Sequence, residues 1–300
     1  MTPPTLCVVI PVFNAGAYLA QALASVQVQT FADWELIVLD DGSTDDSLKV
    51  ARAFAAADPR ITVRHDGENR GLVFRLNQMP TLTTAPLLAR MDADDLMHPE
   101  RLARQVEVFA QRPELDVLGT AAYAIDQSSE PYGFKAAPPI PEDAAGFLAA
   151  SPLIHPSVML RRAWLAQHPY DACYERAEDY ELWWRTQPHT VFMNLSEPLL
   201  FYRERGLPYR GKYRRSSRAR RRLLRQVGRQ APWRGLAVQV AAATLVKDLL
   251  YDLATVARRE HRLIERRSRP LTAAELLDAR LALGPALEAA RRLTASEGVG

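Results

Sequence analysis

The residues best suited to chemistry are Asp92, Asp94 and Asp95, three carboxylates within the pentad Met91-Asp92-Ala93-Asp94-Asp95. They follow the apolar run Leu87-Leu88-Ala89, which reads as the end of a buried strand delivering acidic groups to a loop. Clustered carboxylates raise one another's pKa unless a cation lies between them. Oxygen ligands at this spacing suit Mg²⁺ or Mn²⁺, ions held by one or two carboxylates together with a substrate's phosphates. The alternative is a solvated acidic turn after an edge strand.

The elements that must position this loop alternate between strand and helix. Leu6-Cys7-Val8-Val9-Ile10 is a strand stopped by Pro11, and Phe13-Asn14-Ala15-Gly16 is the loop after it. Tyr18, Leu19, Ala22, Leu23 and Val26 recur at helical spacing. A second strand, 34–39, ends in Asp40-Asp41-Gly42-Ser43-Thr44-Asp45-Asp46. Ser43 or Thr44 is the expected cap of the helix that follows. Strand 61–64, the turn Asn69-Arg70-Gly71, strand 87–91 and a helix from Glu100 to about Arg112 continue the pattern. Such alternation predicts a parallel sheet with right-handed crossovers, and ligands in such sheets bind beyond the carboxyl ends of the strands. Asp40, Asp41, Asn69 and the pentad all follow predicted strands, so they should share one rim. Residues from about Gln127 to Pro152 are rich in Pro, Ala and Ser and read as a mobile loop. The stretch 177–185 reads as a helix with aromatic residues on its buried side, and 199–203 as a closing strand.

Composition sets outer limits. The chain has 300 residues, with Cys7 and Cys173 its only cysteines, so a reducing compartment and no disulfide framework are expected. Neither a signal peptide nor a run of about 18 apolar residues is seen, so no spanning helix is expected. The net charge of +3 hides an asymmetry. Residues 1–204 hold 16 Lys+Arg against 27 Asp+Glu, and residues 205–300 hold 22 against 8, balances of −11 and +14.

Taken together, several pieces resemble the family 2 inverting glycosyltransferases of GT-A fold. They are Val9-Ile10-Pro11-Val12-Phe13-Asn14, Gln29-Thr30-Phe31, Asp40-Asp41-Gly42-Ser43-Thr44-Asp45, Asn69-Arg70-Gly71-Leu72, Ala89-Arg90-Met91-Asp92-Ala93-Asp94-Asp95, His155-Pro156-Ser157-Val158-Met159, Glu178-Asp179-Tyr180 and Tyr202-Arg203. The resemblance covers about residues 5–204. It implies a Rossmann-like, mostly parallel α/β sheet flanked by helices, with 1–204 as catalytic domain, and the change of composition after it marks 205–300 as a basic, mainly helical C-terminal extension. It also implies a nucleotide-sugar donor, UDP-linked by preference, and a hydroxyl acceptor on a glycan or lipid-linked molecule in cell-surface polysaccharide synthesis.

By that resemblance Pro11, Phe13, Asn14, Asp41, Asn69 and Asp92 contact the nucleotide. Phe13 packs the base and Asp41 accepts from base or ribose. Asp94 holds Mg²⁺ or Mn²⁺, which neutralises the diphosphate, a role that needs no glycine-rich phosphate loop, and none is found. Asp95 is structural, capping the turn toward Pro99. Asp179 matches the base that takes the acceptor's proton. Read as a helix carboxylate, it would instead pair with Arg176 or Arg185. Glu178 can contact the donor sugar, and His155 is either a satisfied core histidine or a contact to acceptor or diphosphate. Many members carry Arg-Asn after the Asn-x-Gly turn, whereas this chain has Leu76-Asn77 with Arg75 one place earlier, which leaves nucleotide contact by Arg75 open.

In the extension, the cationic run 212–222 precedes an interrupted apolar stretch, Leu236 to Val256, with Leu245, Leu249, Leu250 and Leu253 on one helical face. Either this tail docks on anionic lipid at the inner face of the cytoplasmic membrane, or it is a helical hairpin packed on the catalytic domain. Nucleic-acid binding is not expected, since the run has little aromatic interleaving. Two other functions compete. A sugar-1-phosphate nucleotidyltransferase would need a Gly-rich, basic N-terminal loop, and Pro11–Gly16 has no Lys or Arg. A catalytically inactive membrane adaptor would have no reason to keep Asp92, Asp94 and Asp179 together.

Overall fold

A computed structural model describes residues 4–204, 209–256 and 267–296. The first half is the expected alternation. Strand β1 (Leu6–Val12), helix α1 (Gly16–Gln27), β2 (Trp34–Asp40), α2 (Ser47–Ala57), β3 (Ile61–His65), α3 (Leu72–Leu82) and β4 (Leu87–Arg90) follow in order. β1 lies between β2 and β4, β3 lies outside β2, and all these pairings are parallel. Both faces of β1 and β2 are covered, which is why they read as unbroken apolar runs.

The second half adds antiparallel pairings. After β5 (Leu96–Met97) and α4 (Arg101–Gln111) come β6 (Val117–Ile125), β7 (Pro131–Lys135), α5 (Ala144–Ala149) and β8 (Met159–Arg161). α6 (Arg162–Gln167), α7 (Glu178–Thr186) and β9 (Phe192–Arg203) complete the part that resembles the family. β8 runs antiparallel to both β4 and β6 and so joins the two halves of the sheet. β9 lies parallel to the whole of β6 and carries β5 on its other edge.

Two local expectations are corrected. The segment 127–152 is not a bare loop: it holds β7, which pairs with β6, and α5, whose Phe147 and Leu148 are buried. Neither Ser43 nor Thr44 caps α2. The Ser43 hydroxyl accepts the Asn14 backbone N–H at 3.1 Å, and the Thr44 N–H donates to the Asn14 carboxamide at 2.8 Å. The Ser47 N–H is held instead by Asp45 at 3.0 Å. These side chains tie the β2–α2 loop to the β1–α1 loop, and Asn14 takes a left-handed backbone (φ 51°) to do so.

The C-terminal elements are α8 (Tyr209–Val227), α9 (Arg234–Val256), β10 (Arg269–Pro270) and α10 (Ala273–Ser296). Residues 205–208, where the extension was expected to start, lie outside the described residues. β10 pairs with β7, so the sheet gains a strand from the extension. α10 packs along α1 and buries Ala279, Leu283 and Ala286 with Tyr123, Ile125 and Phe201. Leu223, Leu224 and Val227 of α8 and Ala237 of α9 share a cluster with Leu148, Tyr174 and Tyr180. Of the two arrangements considered for the tail, packing on the body formed by the preceding residues is therefore present. Among the described residues no helix is long and apolar enough to cross a membrane.

Candidate active site

β1 ends at Val12, so Phe13 and Asn14 stand beyond its carboxyl end on the predicted rim. Phe13 is 51% exposed, a large aromatic face open to the cleft. β4 ends at Arg90, and the acidic loop follows. Asp92 and Asp94 are half-buried and line the same cleft, while Asp95 points inward and is buried. The cleft has a volume of about 700 Å³. Its far wall comes from the start of α7, where Glu178 and Asp179 face it beside His155.

Arginines hold the acidic loop. Arg90 is buried, and its Nη2 lies 2.5 Å from Asp92 Oδ1. Arg203, at the end of β9, donates from Nε to the Asp94 carbonyl at 2.7 Å, and its backbone N–H donates to Asp95 Oδ1 at 2.8 Å. Its remaining nitrogens reach the Asp126 and Gln127 carbonyls, Gln21 and Ser129. Arg101, at the start of α4, donates to the Arg90 carbonyl at 2.9 Å from beneath. The Asp95 carboxylate secures β9 rather than the turn toward Pro99.

Ligand oxygens of Asp92, Asp94 and Asp95 lie within 4.8 Å of one another. Burial, together with the charges of Asp94 and Asp92, pushes the Asp95 carboxyl well above the usual range, and its Oδ2 has no hydrogen-bond partner. An all-carboxylate set with an orphaned buried oxygen fits a hard divalent cation.

The second carboxylate pair is also under strain. Burial first, and then the neighbouring Asp179 charge, pushes Glu178 up to about 7. Asp179 is raised as well, chiefly by burial, against the opposing pull of the Tyr180 N–H and of Arg90. Arg185, one candidate to neutralise Asp179, bonds Glu181 instead at 2.7 Å. His155 hydrogen-bonds the Tyr170 hydroxyl at 2.9 Å and packs on Trp183, and burial with the nearby Arg90 holds it well below the ordinary histidine range. It is at once a packed histidine and part of the cleft lining.

Of the residues singled out in the sequence, Pro11, Phe13, Asn14, Asp92, Asp94, His155, Glu178 and Asp179 meet in this cleft. Asp41, Asn69 and Arg75 do not line it. Asp41 accepts from the Arg70 and Gly71 backbone N–H groups, both at 2.9 Å, and from Arg75 Nε at 2.7 Å. Arg75 uses its other N–H groups on Asp66, Gln78 and the Glu68 carbonyl. All of its donors are thus engaged by protein, and Asp41 with Arg75 shapes the turn that brings Leu72 to the cleft. Asn69 is exposed on that turn. Arg90 and Arg101 hold roles here that their sequence positions did not single out. The available signal was an Arg immediately before an acidic loop and an Arg101/Gln105 pair one helical turn apart.

The C-terminal helices also reach the cleft: Ser216, Ser217 and Arg220 of α8 and Thr244 of α9 line it.

An α/β sheet whose strand ends carry an acidic loop, with a second carboxylate pair lining the same cleft, has the architecture of the GT-A fold. The family described as "Glycosyl transferase family 2" matches residues 7–168, and the chain belongs to it. EpsE of Bacillus subtilis is 32% identical over 187 residues, covering 61% of this chain and 66% of EpsE. The succinoglycan biosynthesis protein ExoU of Rhizobium meliloti is 31% identical over 201 residues, covering 61% of this chain and 57% of ExoU. The chain thus spans just under two thirds of EpsE and rather less of ExoU. Among solved structures, the mannosyltransferase PcManGT of Pyrobaculum calidifontis with GDP-Man and Mn²⁺ has a TM-score of 0.59 at 16% identity, covering 98% of this chain and 88% of its own. S. aureus TarS with UDP-GlcNAc has a TM-score of 0.58 at 16% identity, covering 97% and 83%. These two likenesses concern the fold.

Proposed function

We propose that this glycosyltransferase is inverting and metal-dependent, moving a sugar from a nucleotide-sugar donor, UDP-linked by preference, to a hydroxyl of a glycan or lipid-linked acceptor in polysaccharide synthesis. The observation that carries this reading is the meeting, in one cleft, of the Asp92–Asp94 loop with Glu178–Asp179 and the open face of Phe13. Residues 1–204 supply these groups, and the helices after them add one wall. ExoU is described as a succinoglycan biosynthesis protein, which supports the polysaccharide setting.

In this reading the base stacks on Phe13, Pro11 and Asn14 border it, and Asp92 orients the ribose. Asp94 is the principal ligand of Mg²⁺ or Mn²⁺, with Asp92 and Asp95 beside it. When bound, the cation supplies charge neutralisation to the leaving diphosphate. Asp179 takes the proton of the acceptor hydroxyl as that oxygen bonds to the anomeric carbon, and the bond from that carbon to the diphosphate breaks. Glu178, largely protonated below about pH 7, can donate to a hydroxyl of the donor sugar. His155, held neutral, fixes the Tyr170 hydroxyl behind the pair. The working location is the cytoplasmic side of a membrane that carries the acceptor, with the enzyme peripheral to it.

A thermal-shift screen of nucleotide sugars with and without Mn²⁺ tests the reading. A UDP-sugar should stabilise the protein more with Mn²⁺, and Asp94→Ala should remove that metal-dependent part. An unchanged shift in the variant would refute the ligand role of Asp94. Pyrophosphate release from UTP and a sugar 1-phosphate would replace this reading with the nucleotidyltransferase.

A further inference from the structure

Helix α9 turns a broad aliphatic face to solvent. Val238, Leu245, Val246, Leu249, Leu250 and Leu253 are each 52–64% exposed. Positions 238, 245, 249 and 253 form one ridge, 246 and 250 the next, and exposed Ala242 and Ala243 fill the gaps. An apolar patch of this kind on a polar-rimmed surface marks an interaction site.

The flank of α9 beside this face is accounted for. Ser217 of α8 donates to Asp248 at 2.8 Å, and Arg214 lies 2.6 Å from Asp252. Earlier residues of α8 meet later residues of α9, so the two helices run antiparallel, and both rest on the body through Leu223, Leu224, Val227 and Ala237. Their outer faces therefore look away from the body together. On α8 the outer face carries Arg215, Arg218 and Arg225, all exposed, at spacings of three and seven residues, while Arg222 turns back to the Cys173 carbonyl at 3.2 Å. Residues 209–256 contain twelve Lys+Arg and two Asp+Glu, a balance of +10, and both acids are paired with α8 arginines.

We infer that this outer face of α8 and α9 is a docking surface for an anionic phospholipid bilayer. The α9 aliphatics enter the interfacial region, and the α8 arginines meet headgroup phosphates. Lys247, Asp248 and Asp252 interrupt the helix, so it lies in the membrane plane rather than across it. A second copy of the chain fits this face poorly, because a twofold contact would bring one cationic helix close to another. Since Ser216, Ser217, Arg220 and Thr244 of the same helices wall the cleft, docking holds the cleft beside the bilayer surface. The inference rests on the peripheral association proposed above and names the surface responsible.

The test is flotation of the full chain with vesicles of phosphatidylcholine alone and of an equimolar mixture with phosphatidylglycerol. The wild type should bind the anionic vesicles and release them as salt rises. A Leu245→Ser, Leu249→Ser, Leu253→Ser variant and an Arg215→Gln, Arg218→Gln, Arg225→Gln variant should each bind about tenfold more weakly or less. Both should keep wild-type melting temperature and UDP-sugar hydrolysis, since these side chains are exposed and outside the donor site. Binding equal to wild type in both variants would overturn the surface while leaving peripheral association standing. No binding to either vesicle by the wild type would overturn both. A concentration-dependent dimer abolished by the leucine changes would assign the face to a second copy and overturn the inference.

Discussion

Arg203 Nε donates to the main-chain carbonyl of Asp94 at 2.7 Å, across 109 residues of sequence. The last residue of β9 therefore sets the backbone of the loop whose side chains line the cleft. The same guanidinium binds the Asp126 carbonyl and Gln21, and its backbone N–H binds Asp95, so it joins three segments at one point. A lysine has the charge but not the planar fork. Arg203→Lys should lower stability by about 2–3 kcal/mol in urea unfolding, the scale for buried donors and acceptors left without partners. It should also raise the Mn²⁺ concentration needed for half-maximal UDP-sugar turnover. Wild-type Mn²⁺ dependence in a folded variant would show that the loop keeps its shape without the clamp.

Asp179 is raised by burial and carries the proposed proton transfer. Asp179→Asn keeps the size and loses the basic oxygen. Transfer to acceptor should fall roughly 10²–10⁴-fold, the range for a positioned general base. Donor affinity, measured by titration of UDP-sugar, should stay near wild type. A loss of donor affinity equal to the loss of rate would move Asp179 into the binding site.

Glu178 gives a pH signature. Its carboxyl is raised from 4.5 to about 7, so the folded protein binds a proton that the unfolded chain has released. The associated stability is complete below about pH 4.5 and is lost as pH rises through about 7. Glu178→Gln keeps the neutral form at every pH. Relative to wild type, its melting temperature should therefore gain on going from pH 5 to pH 8, in a paired series of scans. A difference that does not change with pH would mean that Glu178 is ionised in the folded state at both ends.

Phe13 is half exposed in the structure, so little packing is lost on truncation. Base–aromatic stacking contributes about 1–3 kcal/mol. Phe13→Ala should weaken nucleotide binding roughly 5- to 150-fold by calorimetry, on that energy scale, and leave the melting temperature without ligand unchanged. Unaltered affinity would place the base elsewhere in the cleft.

Much of the rim beyond β1 and β4 was legible because it depends on local order. Pro11, Phe13, Asn14 and the acidic loop follow strands that the apolar runs of β1 and β4 announce, and parallel strands place their ends on one rim. Asp41 also follows its strand, yet it faces the turn at Arg70 and Gly71. No spacing rule says which way a carboxylate turns when several N–H donors compete for it. The roles of Arg90, Arg101 and Arg203 were not legible at all, since each is defined by a partner that only the folded chain brings near. The segment 127–152 was misread because β7 is short and takes its order from pairing with β6 rather than from its own pattern.

The packing of α10 on α1 also bears on how the protein is made. α1 begins at Gly16 and α10 ends at Ser296, so every element between them must be made before this contact can form. Until then the α1 surface that later meets Ala290 stays uncovered. Tyr123, whose hydroxyl later bonds Asp278 at 2.8 Å, likewise waits for α10. A nascent chain of this fold therefore carries a sticky, unfinished flank until α10 has been made, and its dependence on chaperones should concentrate in that interval.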